Sequence, residues 1–352
     1  MDNRETSTGV VFEYTGVGCS VPKHITSVSF NEGLQKIGYG SFRNCTSLES
    51  ITVPSTVTEI GARAFYGCNN LREVTLNDGL RKIGGGAFWN CSSLESIKLP
   101  STLVEIGDGT FKFCRNLREV TLNEGLQKIG DWTFYNCASL ESIILPSTVT
   151  EIGGSAFLGC INLREVMSND GLRKIGDYAF YECKSLESIT LPPTLVDIGT
   201  NAFSCCRNLR EVKLNGVPQY FKSTAFQNCD TLERFLFPTI SYRFENIIRT
   251  GHWEELEDQL NAVRGVVQWE SNELFVTRAA HQNWSETKRD LGNITRLVSY
   301  YELKEATTTF ELALWKSKLD QAGASNTTNR VAYRIDVPGP VKDTILQYLD
   351  HI

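Results

Sequence analysis

The sequence predicts an α/β solenoid: short parallel strands stacked coil on coil, with short strands or helical turns opposite them, followed by a mostly α-helical C-terminal module. Three observations predict it. Nine of the eleven cysteines fall at one interval of 23 residues: Cys45, Cys68, Cys91, Cys114, Cys137, Cys160, Cys183, Cys206 and Cys229. A fixed period in this range marks units that bury their apolar faces on one another. Each unit repeats one alternation of apolar and polar residues, as in CTSLESITVPSTVTEIGARAFYG from Cys45. After about residue 238 the composition changes, with no cysteine and four of the six tryptophans in the last 114 residues.

Taken in order, residues 1–21 form an N-terminal extension or cap, and the repeats occupy 22–243 in about nine to ten coils. A weaker unit starts at Pro22 and keeps Ile25, Val28, Phe30, Ile37, Gly38 and Phe42. Within the Cys45 unit, Ile51 and Val53 alternate with Ser50 and Thr52, the period of a strand with one face inward. Stacked units pair these strands into a parallel sheet at about 4.8 Å spacing. Pro54, or Asn77 in the next unit, ends the strand. Val57 and Ile60 turn inward again, and Gly61 allows a close bend that a Cβ would block. Ala64 and Phe65 close the coil; phenylalanine recurs at all nine such positions from Phe42 to Phe226, predicting a continuous ring stack.

The true period is 46. SLESIxLPSTLxEIG alternates with NLREVxLNxGLxKIG, so two charged positions change sign from coil to coil. One reads Glu49, Arg72, Glu95, Arg118, Glu141, Arg164, Glu187, Arg210, Glu233; the other reads Lys36, Glu59, Lys82, Glu105, Lys128, Glu151, Lys174, Asp197. Equivalent residues on stacked coils lie roughly 5 Å apart, where identical charges repel. Alternation makes every neighbour opposite, and a slip of one unit would bring like charges together. We read this as register control, with ligand binding by the ladder as the alternative.

The tail, 244–352, reads as mostly helical. HWEELEDQLNAVRG places Trp253, Leu256, Leu260 and Val263 on one helix face, and VVQWESNELFVT reads as a hairpin or short paired strands. Helices follow around Leu291–Val298 and Phe310–Leu319, then a strand at VAYRIDV and a closing helix with Ile345, Leu346 and Leu349. An open solenoid end exposes its core and a sheet edge, so capping is one role for this module.

Composition excludes several functions. The net charge of −6 argues against a non-specific nucleic-acid or anionic-membrane binder. No stretch approaches the roughly 18 to 20 apolar residues of a membrane span. MDNRETSTGVVFEY has no basic or apolar leader pattern, so an intracellular location is expected, cytoplasm before nucleus. The cysteine ladder has an odd number of members and no C-x-x-C pair, and His24, His252, His281 and His351 are scattered. Reduced, buried structural thiols are expected, with no metal, no cofactor and no catalytic residue.

The L-x-x-I-x-L-P strand block, the I-G, the A-F and the cysteine together resemble the BspA-like (Treponema pallidum type) leucine-rich repeat family. The resemblance implies a curved right-handed solenoid whose strands line a concave sheet, and a binding role without catalysis. Many bacterial members are surface adhesins. The tail segments HWEELEDQLNAVRGVVQW, SYYELKEATTTFELALWKSKLD and YRIDVPGPVKDTILQYL resemble the C-terminal extension of uncharacterised BspA-like proteins from diatoms.

The expected function is therefore a scaffold that binds a protein partner. Candidate contacts on the strand face are Glu73, Thr75, Lys98, Glu119, Thr121, Glu165, Met167, Glu211 and Lys213, a mildly acidic surface. A second candidate is an aromatic ridge beside the phenylalanine stack: Tyr66, Trp89, Trp132, Tyr135, Tyr178 and Tyr181. The bland alternatives are a solvated sheet face and rings that only pack across coils. Two other functions remain open: a secreted or cell-surface adhesin, and an unrecognised enzymatic activity in the C-terminal module.

Overall fold

The computed structural model describes residues 11–236, apart from 17, 217, 219, 223 and 233, together with the strands 267–270 and 273–277. The helices read in the tail lie outside the described residues. The repeats form a parallel β-solenoid with two strands per coil. The long strands, such as Ser50–Thr52 and Glu73–Thr75, carry one buried residue between two exposed ones. The short strands, such as Lys36–Ile37 and Glu59–Ile60, bury their isoleucine.

The apolar positions inferred from spacing are inside. In the Cys45 coil, Cys45, Leu48, Val53, Val57, Ile60, Ala64 and Phe65 are completely buried. The phenylalanines stack from Phe42 to Phe226 with centroids 4.9–5.7 Å apart and planes within 15°. At the N-terminal end, Val11–Tyr14 pairs in parallel with Ser27–Phe30. Fully buried Tyr14 lies 4.9 Å from the Phe42 ring, and its hydroxyl accepts from the Gly38 amide and bonds Ser41.

The helical turns expected opposite the long strands are not there: the described residues contain no helix, and this part of the chain is all β. The closing segment shows why. Its amides alternate between a local turn and the next coil: Arg43 donates to Gly40, but Gly40, Phe42 and Asn44 donate to Ala62, Ala64 and Tyr66. Two residues per coil are also left-handed, at 40, 63, 86, 109, 132, 155, 178 and 201 and again at 44, 67, 90, 113, 136, 159, 182, 205 and 228. A helix cannot propagate through residues of that hand. Gly61 is required for a different reason: its Cβ would meet the backbone of Gly38 and Tyr39 at 2.8 Å.

The 46-residue period is visible in the hydrogen bonding. Long strands join in parallel pairs, Ser50–Thr52 with Glu73–Thr75, Ser96–Lys98 with Glu119–Thr121, and Ser142–Ile144 with Glu165–Met167. Ser188–Leu191 pairs with Glu211–Leu214, which continues to Arg234–Leu236. Glu273–Thr277 then pairs antiparallel with Arg234–Leu236 and with Val267–Glu270, the hairpin read from the sequence. The chain divides into two units, 1–238 with 266–287, and 239–265 with 288–352.

The charge ladder on the short strands forms in register. Lys36 meets Glu59 at 2.7 Å, Lys82 meets Glu105 at 2.8 Å, and Glu151 sits between Lys128 at 3.2 Å and Lys174 at 3.7 Å. The hydrogen bond to Glu105 raises the pKa of Lys82. The Glu49–Arg72 ladder alternates in sign but makes no ion pair within 4.0 Å among the described residues.

Candidate functional site

The long strands present two rows of outward side chains. One row alternates serine and glutamate: Ser50, Glu73, Ser96, Glu119, Ser142, Glu165, Ser188, Glu211. The other holds Thr52, Thr75, Lys98, Thr121, Ile144, Met167, Thr190 and Lys213. The expected strand-face residues are thus brought onto one surface, with Glu211 and Lys213 half-buried and ion-paired to each other at 3.2 Å. Ile144 and Met167 face each other across paired strands, 61% and 44% exposed. They are the large apolar side chains of a face otherwise made of hydroxyls and charges.

The aromatic residues beside the phenylalanine stack form a second, outer file. Tyr66 and Trp89 lie 5.5 Å apart, Trp89 and Phe113 6.4 Å, and Phe113 and Tyr135 5.3 Å. Tyr178 and Tyr181 form a separate pair at 5.7 Å. Tyr66, Trp89 and Tyr135 thus pack across coils and Tyr181 packs on Tyr178 of its own coil, all four half-buried. Trp132 and Tyr178 remain 45% and 39% exposed, and both are left-handed, an unusual state for an aromatic residue. A hydrogen bond with Cys205 raises the pKa of the Tyr181 phenol.

At the centre of this file lies Lys112. Its Nζ is 4.4 Å from the Tyr135 ring centroid, 4.8 Å from Trp89, 5.4 Å from Trp132 and 5.7 Å from Phe113. Ring faces attract a cation at such distances, and partial burial lowers the ammonium pKa. Arg43 sits 5.0 Å over Tyr66 in the same manner. Sequence reasoning found the rings but not the cations, nor Phe113. The available signal was Phe113 at a position that other coils fill mostly with asparagine or glycine.

The pattern of the family described as BspA type leucine rich repeat region, six copies of the repeat, matches residues 20–141 and 127–248, well over half of the sequence. The chain belongs to the BspA-type leucine-rich repeat family. Among solved structures it is similar to a leucine-rich repeat protein from Bacteroides ovatus, with 25% identity, a TM-score of 0.49, and coverage of 64% of this chain and 62% of that one. It spans about three fifths of that protein's length. It is also similar to the T. pallidum leucine-rich repeat protein, with 32% identity, a TM-score of 0.41, and coverage of 51% and 78%. No curated protein matches the chain.

In these BspA-type coils the cysteine ladder is a hydrogen-bond ladder. Eight thiols donate to a phenylalanine carbonyl one coil back, Cys68 to Phe42, Cys91 to Phe65 and so on to Cys229 to Phe203, at 3.1–3.3 Å, and Cys45 donates to Pro22 at 3.7 Å. All eleven cysteines are free, and the nine on the grid are buried. Desolvation pushes the Cys68 and Cys114 thiols up to about 12, and those of Cys91, Cys137, Cys183 and Cys206 well above their ordinary value. Among the described residues no group of three or more His, Cys, Asp or Glu is placed to hold a metal ion.

The P-S-T and L-N alternation, read from sequence only as turn chemistry, is a second clamp. Asn77 Nδ2 donates to Val53, Asn123 to Leu103 and Asn169 to Val149, each carbonyl on the preceding coil. Thr102, Thr148 and Thr194 donate in turn to Leu80, Leu126 and Leu172. Each coil type reaches back with its own polar side chain.

Proposed function

We propose that this chain is a protein-interaction scaffold that holds a protein partner on its long-strand face by non-covalent contact. The observation that carries this reading is the exposed pair Ile144 and Met167, set in register amid Thr121, Thr190, Glu119 and Glu165. Apolar anchors ringed by polar groups are the usual composition of a docking surface, the anchors supplying energy and the rim specificity. The rigid parallel ladder beneath holds them in place, so binding orders few side chains. A reducing compartment fits this reading, because the nine buried thiols serve as hydrogen-bond donors.

The test is quantitative affinity capture with the full chain and with an Ile144→Glu, Met167→Glu double variant. Both sites are exposed, so the variant should fold. Proteins retained by the wild type are expected to be lost from the variant, and charge reversal at Glu119 and Glu165 to weaken their retention. An unchanged set of captured proteins would overturn the reading.

A further inference from the structure

A notch interrupts the ridge of left-handed residues. Successive coils place Arg63, Gly86, Gly109 and Trp132 at this position, so two coils without a side chain lie between two with large ones. The gap is an open cavity of about 550 Å³. Gly85 and Gly86 line it together with Tyr39, Trp89, Asp108 and Lys112.

The residue just before the ridge position explains what the notch offers. In three other coils the amide of this residue is satisfied by an aspartate of the preceding coil. Asp131 donates to Asp108 Oδ1 at 3.0 Å, Gly154 to Asp131 Oδ1 at 2.7 Å, and Thr200 to Asp177 Oδ1 at 2.6 Å. In the notch the residues that would supply this carboxylate are Tyr39, Ala62 and Gly85. The amides of Ala62, Gly85 and Asp108 consequently have no acceptor among the described residues. The Tyr39 amide, which also borders the notch, has none either, and outside the notch the same holds for Asp177, opposite Gly154. Four unpaired donors, on Tyr39, Ala62, Gly85 and Asp108, thus stand in series on neighbouring coils, about 5 Å apart.

The charged groups facing the notch are Arg63, Lys112 and Asp108. Asp108 already accepts the Asp131 amide through Oδ1, and Lys112 is held in place by its four rings. Two cations and a row of unpaired amides therefore border the cavity against one engaged carboxylate, with Arg63 also donating to the Tyr39 hydroxyl at 3.5 Å. Oriented backbone amides of this kind bind anions, and the solenoid itself shows that the anion which fits is a carboxylate.

We propose that this notch binds an acidic peptide segment of a protein partner, whose Asp or Glu carboxylates take the amides of Gly85 and Asp108 and pair with Arg63 and Lys112. The segment replaces, from outside, the aspartate that other coils supply from within. The site is separate from Ile144 and Met167, so either can fail without the other.

The experiment titrates the full chain, ¹⁵N-labelled at glycine, with a blocked hexa-aspartate peptide and with hexa-asparagine as the neutral control. The Gly85 amide resonance is expected to shift with hexa-aspartate only, and the affinity to fall as salt rises. Gly85→Asp places a carboxylate opposite the Asp108 amide, as Asp108 does for Asp131, and should lower affinity about tenfold, read by calorimetry. Arg63→Gln and Lys112→Gln, surface changes that leave the core alone, should each lower it about threefold or more. Hexa-asparagine binding as well as hexa-aspartate would overturn the proposal. So would unchanged affinity in all three variants, or inorganic phosphate or glucuronate matching the peptide at equal concentration. Ile144→Glu, Met167→Glu should leave peptide binding unaltered whatever becomes of the long-strand face.

Discussion

A thiol that donates to a carbonyl inside a sealed coil resists ionisation, because the thiolate would lose both its hydrogen bond and its water. The folded pKa of these thiols lies above the ordinary value, so their contribution to stability is complete below about pH 9. It is lost as pH rises toward the folded values, about 12 for Cys68 and Cys114. Urea midpoints should therefore fall steadily above pH 9, with Cys114→Ala falling less steeply than the wild type. At pH 8, a maleimide should label only half-buried Cys19 and Cys205 in the native chain, and all eleven thiols in denaturant, counted by intact mass. Labelling of Cys114 in the native chain would contradict the ladder. The left-handed positions give a second prediction at this scale. Glu182 has φ 60°, where a side chain costs about 1 kcal/mol that glycine avoids. Glu182→Gly should raise the melting temperature slightly, whereas Gly159→Ala, at φ 74° on the equivalent position, should lower it.

Strands and their clamps were unequally legible. The inward residues of each strand could be read from period-2 spacing, and the Lys–Glu ladder from sign alternation, because both are properties of which residue follows which. The missing helices were not legible. Ten residues around A-F are compatible with a helical turn on propensity alone, and only the neighbouring coil, by taking alternate amides, rules it out. Asn77, with its counterpart Asn123, reads only as a strand end for the same reason: alone it signals a turn, but in the stack both bond carbonyls of the coil before. Asn123→Ala removes that partner from a buried site and should cost about 1–3 kcal/mol in chemical denaturation. Glu151→Lys should cost less, about 1 kcal/mol, and lose most of that effect in high salt, since its pairs with Lys128 and Lys174 are half-exposed. A loss as large as that of Asn123→Ala would mean that charge rather than the amide clamp holds the coils together.

For the whole molecule, these contacts join nearest neighbours only, and that gives the 46-residue period an energetic meaning. The candidate surfaces were partly legible for the same reason. Glu73, Glu119 and Glu165 recur at fixed spacing and could be assigned to one face. The notch arises where the repeat fails, at Gly85, Gly86 and Gly109, and a reading tuned to what recurs passes over it. Solenoid stability is approximately a sum of coil and interface terms, so removing coils tests which interfaces matter. Deleting residues 137–182, one full period, sets Lys128 beside Asp197 and an asparagine coil before a threonine coil. Deleting only 137–159 sets Lys128 beside Lys174 and Arg118 beside Arg164, and presents Asn169 to a coil of its own type. If register rests on alternation, the 46-residue deletion should unfold in one transition and the 23-residue deletion at distinctly lower urea, although it removes half as much core. Equal midpoints, or a more stable 23-residue deletion, would show that the coils are interchangeable and that the alternation has no part in holding register. Both deletions retain Arg63 to Trp132, so hexa-aspartate binding should survive in whichever of them folds.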